Sequence, residues 1–205
     1  MTTPLKKLHI TKSEINGLPM RQYQGPIDLI STAEDTKRAA EELQKETLLG
    51  FDTETRPAFR RGESYQPSLL QLATAEKAYL FQLQQTGLTA EIRSILSNER
   101  IVKAGVSIRD DLKELRKLSE FAPASFIELA HSAKKAGIKN LGLRGMGALL
   151  LGFRISKKEQ VSNWARRELS PSQITYAATD AWLGREIYLH LDRHGLILQP
   201  CEEPF

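Results

Sequence analysis

The sequence holds a single cysteine, Cys201, in 205 residues. One thiol excludes an internal disulfide framework and any cysteine-cluster zinc site. The four histidines, His9, His131, His190 and His194, fall at no metal-ligand spacing such as His-Glu-x-x-His. No stretch approaches the roughly 18 apolar residues that a membrane-spanning helix needs. Met1 to Ile10 carry no long apolar region of the secretory kind, so the expected setting is cytoplasmic, with no membrane attachment. Internal repeats, low-complexity tracts and a dividing Pro/Gly/Ser linker are also lacking, and one domain is expected.

What is present is a globular composition, 40% apolar and 26% charged, long enough to bury a core. The net charge of +4 is spread unevenly. Between Arg100 and Ser170, fifteen Lys or Arg stand against seven Asp or Glu, which leaves the remainder of the chain net acidic. Such a stretch suits a nucleic-acid-facing side, and equally a set of solvated helix faces.

Met1 to Gln24 read as a polar, irregular arm. Ile27–Ile30 is a short strand, and Ser31-Thr32-Ala33-Glu34 supplies capping residues for a helix through about Gln44. Thr47–Phe51 is short and apolar, as for a buried strand. Pro67–Thr74 and Lys77–Leu83 are two strands whose short polar link, Ala75-Glu76, predicts an antiparallel pair. A helix over Leu88–Leu96, a strand over Ile101–Val106, a helix from about Ile108 to Leu118 and a last strand at Phe126–Leu129 follow. From there to His194 the pattern is mostly helical, with breaks near Gly137, Gly152 and Pro171. Strands early and helices late predict an α/β fold, a mixed sheet covered by helices. The cluster Gly142, Gly145, Gly147 lacks the strand-loop-helix setting and the Lys-Ser/Thr ending of a phosphate loop.

Four carboxylates carry the chemistry. Asp52 and Glu54 are two apart at the end of an apolar run, so on a strand they leave one face. Asp111 lies in the first turn of a helix, where the macrodipole favours an acid; a capping role and a ligand role both fit it, and Asp110 competes for either. Tyr176 and Asp180, four apart on a helix, share a face. Gathering like charges is costly unless something neutralises them. A pair of divalent metals does so, and such pairs cut phosphodiesters.

In this order, Asp52-x-Glu54, then Gly105-Val106-x-Ile108-x-x-Asp111, then Tyr176-x-x-x-Asp180, the motifs resemble the DEDD superfamily of 3′–5′ exonucleases. Tyr176 points to the tyrosine subgroup, which includes ribonuclease D and the Werner syndrome exonuclease domain. Phe51-Asp52-Thr53-Glu54, Pro67-Ser68-Leu69-Leu70-Gln71-Leu72, Val102-Lys103-Ala104-Gly105-Val106, Ser162-Asn163-Trp164 and Tyr176-Ala177-Ala178-Thr179-Asp180 are similar to the latter branch. The likeness runs from about Gly25 to Leu191. It implies a ribonuclease H-like mixed β-sheet flanked by α-helices, with an N-terminal arm over 1–24, an exonuclease domain over 25–195 and a tail over 196–205.

The resemblance further implies two divalent cations, Mg²⁺ or Mn²⁺. Asp52, Glu54 and Asp180 would hold one, Asp52 would bridge to the second, and Asp111 would contribute to the site. Tyr176 would orient the attacking water, and nucleoside 5′-monophosphates would leave a nucleic acid with a free 3′ end. Weaker substrate-side candidates are Thr53 and Thr55 beside the acids, Leu70 and Gln71 as a wall beside the terminal base, and Lys103 toward phosphate. Trp164 is expected to stack or, preferentially, to pack. Arg109, Lys157, Lys158, Arg166 and Arg167, and Arg56, Arg60 and Arg61 after the first motif, are further phosphate-side candidates. Helicase motifs and the helical nucleic-acid-binding domains of the full ribonuclease D pattern are not among these residues, so a helicase or other partner is expected to assist. The competing reading is a catalytically silent exonuclease fold serving as a binding or scaffold protein. Loss of an acid would mark it, yet all four are present.

Overall fold

The computed structural model describes residues 7–60 and 62–198; Arg61 and Cys201 lie outside them. Six strands form one sheet: β1 (Ile27–Ile30), β2 (Leu48–Thr55), β3 (Pro67–Ala73), β4 (Ala78–Gln82), β5 (Val102–Gly105) and β6 (Phe126–Glu128). Their order is β1-β4-β3-β2-β5-β6. β3 runs antiparallel to both neighbours, β2 and β4, whereas β1–β4, β2–β5 and β5–β6 pair in parallel. The predicted antiparallel pair is therefore present, and the sheet is mixed.

Helices α1 (Lys12–Gly17), α2 (Ala33–Leu43), α3 (Leu83–Thr86), α4 (Ala90–Leu96), α5 (Ile108–Leu118), α6 (Leu129–Lys135), α7 (Leu143–Leu151) and α8 (Pro171–Arg193) complete the described fold. None is long and apolar enough to cross a membrane. Side chains alternate along each strand, so β2 and β3 bury both faces. Leu49, Phe51, Leu70 and Leu72 pack with Leu43 of α2, Ile92 and Ile95 of α4 and Leu112 and Leu115 of α5. On the other face Leu69, Ala73 and Leu80 meet Ala177, Ala178 and Ala181 of α8. Truncating such a leucine to alanine costs about 2–5 kcal/mol.

The chain differs from expectation in three places. β2 continues four residues past Phe51, which puts Asp52 and Glu54 inside the strand rather than beyond it. Pairing with β3 extends that far, with a register shift only at Glu54/Thr55. The arm is not irregular throughout: Thr11 and Glu14 form a reciprocal capping box that starts α1. Its described residues are also bound into the fold. Ile10 and Ile15 are buried with Ala148, and the Tyr23 N–H donates to Thr179 Oγ1 at 3.0 Å. Finally, 152–170 is a long connection between α7 and α8 without helix.

Two glycines set the distance between α8 and the sheet. A Cβ on Gly50 would fall on the Ala181 carbonyl, and one on Gly184 would lie 3.0 Å from the Ala104 carbonyl. The strand and the helix thus meet backbone to backbone just beside Asp52 and Asp180.

Candidate active site

β2 supplies Asp52 and Glu54 on the face that α8 covers, the face shared with Gly50. α8 begins with a capping box, Ser170 with Gln173, and Pro171 in its first turn. That fixes the start from which Tyr176 and Asp180 follow at helical spacing. One carboxylate oxygen each from Asp52, Glu54 and Asp180 lie within 4.8 Å of one another, the one such acid group among the described residues.

Asp111 joins from a third element. Ser107, in the left-handed region at φ 64°, turns the chain from β5 into α5 without giving a side-chain cap. Glu128 does that work instead, its two oxygens accepting from the N–H groups of Ile108 and Ala130 at 2.9 and 3.0 Å. Asp111 then faces the sheet, where its Oδ1 accepts from Thr53 Oγ1 at 2.6 Å. Asp110 is exposed and does not line the cleft, whereas Asp111 does.

Crowding leaves a clear electrostatic mark. Burial, then Asp180, Glu54 and Asp111, raise the Asp52 carboxyl well above the usual carboxylate range, against a hydrogen bond from the Thr53 N–H. Burial, then Asp180 and Asp111, push Glu54 up to about 9. Asp180 rises to about 7 through burial, partly offset by a hydrogen bond from Tyr176. Asp111 also rises to about 7 through burial, with Thr53 opposing. The Tyr176 phenol is raised too, by burial first and by Asp180 and Glu54 next. Without a counter-charge this cluster resists full ionisation.

The residues fit a divalent cation. All donors are oxygens, as hard ions prefer. Asp180 Oδ1 is enclosed yet has no hydrogen-bond partner, a cost that a ligand would remove. Asp52, Glu54, Asp111, Tyr176 and Asp180 line one cleft of about 930 Å³.

Around this cluster the weaker candidates divide. Thr53 and Thr55 line the cleft, as does Lys157, although the Thr53 hydroxyl is committed to Asp111. Leu70 is fully enclosed in the core and cannot stand beside a base. Gln71 faces the Asp52 side in register with it but is equally enclosed. Lys103 is enclosed as well: it donates to the Asn98 carbonyl at 2.8 Å and lies over the Phe126 ring. Trp164 packs, 2% exposed, with its ring 5.9 Å from that of Tyr176. The expectations of substrate contact for Leu70, Gln71 and Lys103 are corrected, because each side chain points into a layer of the sandwich and not to its rim; for Trp164 the preferred packing is what the structure shows. Arg56 is exposed and stacks on Tyr65, while Arg60, Arg109, Lys158, Arg166 and Arg167 are exposed away from the cleft lining.

Sequence reasoning missed Lys12, Asn16, Asn140 and Arg144, which also line the cleft. Only the basic bias over Arg100–Ser170 pointed toward one of them.

A family model described as 3′-5′ exonuclease matches residues 27–195. The bifunctional 3′-5′ exonuclease/ATP-dependent helicase WRN of Mus musculus is 30% identical over 93% of this chain and 14% of its own length. A ribonuclease D of Gluconacetobacter diazotrophicus is 32% identical over 82% of this chain and 44% of its own. The chain therefore spans less than half of these relatives. Among solved structures, the Aedes aegypti Nibbler EXO domain superposes with a TM-score of 0.76 at 22% identity, covering 86% of this chain and 91% of that one. Escherichia coli RNase D gives 0.72 at 22% identity, over 82% and 46%. Those likenesses establish the ribonuclease H-like fold, and the match across 27–195 establishes the lineage: this chain belongs to the 3′-5′ exonuclease family.

Proposed function

We propose that the chain is a metal-dependent exonuclease that removes nucleoside 5′-monophosphates from the 3′ end of DNA or RNA. The observation that carries this reading is the convergence of Asp52, Glu54 and Asp180, with one unpartnered buried oxygen, beside Tyr176. Asp52, Glu54 and Asp180 would hold one divalent cation, Mg²⁺ or Mn²⁺. Asp52 and Asp111 would serve a second. When bound, the ions supply the charge that makes water a nucleophile near neutral pH and that stabilises the leaving 3′ oxygen.

The protein groups do the rest. Tyr176, kept protonated by burial and by the acids around it, can both donate and accept a hydrogen bond, and so orients the attacking water. Thr53 holds Asp111 in place from the opposite side of its own strand. Trp164 supports the Tyr176 ring from within the core. The mouse relative couples an exonuclease to a helicase in one protein, and a helicase or other partner would present the strand to this cleft.

Digestion of 5′-labelled single-stranded and recessed-3′ DNA and RNA, with Mg²⁺, Mn²⁺ or EDTA, tests the proposal. The expected result is a ladder shortening from the 3′ end that vanishes in EDTA. A folded chain that yields no ladder in any lane overturns it and favours the silent scaffold.

A further inference from the structure

The cleft lining is segregated by charge. Its acids come from β2, α5 and α8. Its cations, Lys12, Arg144 and Lys157, come from α1, the first turn of α7 and the loop after α7. Lys12 and its neighbour Asn16 precede residue 27, where the family match begins. The described part of this leading segment is nonetheless fixed. The Asn140 side chain accepts from the Ile10 N–H at 2.8 Å and donates to the Ile10 carbonyl at 2.9 Å. The Arg154 N–H donates to the Pro19 carbonyl, and the Arg21 N–H to the Arg154 carbonyl.

Arg144 stands apart from an ordinary surface cation. Its Nε is enclosed and has no hydrogen-bond partner. Its Nη2 reaches only Asn16 Oδ1, at a long 3.4 Å. Among the described residues it forms no ion pair, although four carboxylates line the same cleft. An enclosed guanidinium donor without an acceptor carries an uncompensated desolvation cost. A phosphodiester supplies two acceptor oxygens at the spacing of the guanidinium fork, the geometry in which arginine surpasses lysine.

We propose that Arg144, flanked by Lys12 and Lys157, grips a phosphodiester of the strand upstream of the 3′-terminal nucleotide, which makes the leading segment part of the substrate path. The inference rests on the exonuclease reading above and names residues that bind its substrate. The acids take the scissile end; the basic lining takes the backbone behind it.

Two measurements on the full chain test it. The first is fluorescence anisotropy of a 5′-fluorescein-labelled single-stranded DNA titrated with protein in Ca²⁺ at several salt concentrations. Arg144→Gln is expected to weaken binding about tenfold or more, as for loss of a charged hydrogen bond. The slope of log affinity against log salt should shrink by about 0.7, the value of one phosphate contact on a single strand. Arg144→Lys should keep the slope and lose part of the affinity. The second compares kcat/KM on an oligonucleotide and on the p-nitrophenyl ester of thymidine 5′-monophosphate, which has no upstream phosphodiester. The loss for Arg144→Gln should be about tenfold larger on the oligonucleotide.

Unchanged affinity and slope in a variant that melts like wild type overturn the proposal, as does an equal loss on both substrates. Should Arg144→Gln fail to fold, the pair Lys12→Gln and Lys157→Gln, both at exposed positions, decides through the same salt slope. A wild type that cleaves neither substrate defeats the exonuclease reading, while the anisotropy comparison still rules on Arg144.

Discussion

Two places in this sheet bury charge, one strand apart, and they manage it in opposite ways. On β2, Asp52 and Glu54 meet Asp180, and burial and the neighbouring acids raise both β2 carboxyls. On β5, Lys103 is as deeply enclosed as any described residue, in register with Leu49 of β2. The lysine is provided for: a backbone carbonyl at 2.8 Å accepts its proton and an aromatic ring faces it. The acids have partial cover, from the Thr53 N–H at Asp52 and from Tyr176 at Asp180, while Asp180 Oδ1 is enclosed with no partner. A lone buried charge with local partners is architecture, whereas a buried cluster of like charges with an open oxygen fits a ligand that brings the opposite charge.

The strongest way to break this contrast is to remove an acid. Asp52→Ala should reduce metal-dependent 3′ trimming to below a few per cent of wild type. Because a mutual repulsion is relieved, the apo protein should melt no lower than wild type. Gel ladders and thermal melts in EDTA check both halves; a variant retaining substantial activity would refute the two-metal assignment.

Tyr176→Phe comes next. A rate loss of about 10²-fold is expected, the lower end for a group that handles a reacting proton, with metal-dependent stabilisation largely kept. If metal stabilisation falls in step with rate, the phenol holds the cation site together instead of orienting water.

The third test uses metal and pH. At about 100-fold excess over the dissociation constant, a ligand specific to the folded state adds about 2.7 kcal/mol, or roughly 5–10 °C for a chain of this size. Mg²⁺ or Mn²⁺ should give such a rise near neutral pH, and Asp180→Asn should abolish it. In EDTA the acids oppose folding as they ionise. Glu54 is raised to about 9 and Asp180 to about 7, both by burial first. The folded state therefore holds their protons longer than the unfolded chain does. Their contribution is complete below the ordinary carboxylate pKa and is lost as pH climbs toward 7 and then 9. Melting in EDTA that is flat from pH 4 to 9 in both wild type and Asp180→Asn would contradict this account.

Lys103 gives the smallest effect and the opposite slope. Burial lowers it to about 7, so the unfolded chain binds its proton more tightly. Its contribution is full above the ordinary lysine pKa and is lost as pH falls through about 7. Lys103→Met, of similar volume, should leave stability at pH 7 within about 1–2 kcal/mol, since a removed desolvation cost offsets the abandoned Asn98 carbonyl. Denaturant titrations should show that the rise in stability between pH 7 and 10 has gone. Persistence of that rise in the variant would assign it to other groups.

Most of the sheet was legible in the sequence because its strands are short apolar runs between turn residues. The link Ala75-Glu76 is too brief for anything but a reversal, and β3 and β4 pair as expected. The five residues that line the acidic cleft were singled out by the family resemblance their motifs carry together, each motif alone being undecided. The failures have one cause. Leu70, Gln71 and Lys103 stand beside motif residues on their strands, and proximity along a strand says nothing about depth in a sandwich. Lys103 shows it best, since a lysine on a strand reads as surface until an Asn98 carbonyl is found beneath it. Arg144 fails in the other direction. Nothing local marks it, and its neighbour Asn16 on α1 comes from more than a hundred residues away in the chain.

The contact at Gly50 changes how this family of sites can decay. Loss of Asp52 or Asp180 would be plain to any reader of the sequence. The gap between strand and helix acts as a gauge block for the five functional groups, and its thickness is the absence of one methyl group where the Ala181 carbonyl lies. A chain carrying Gly50→Ala would keep every acid and the tyrosine, yet should lose metal-dependent stabilisation in a thermal melt. Inheritance of an intact motif is therefore a weaker guarantee of a working nuclease than inheritance of the motif together with that bare backbone.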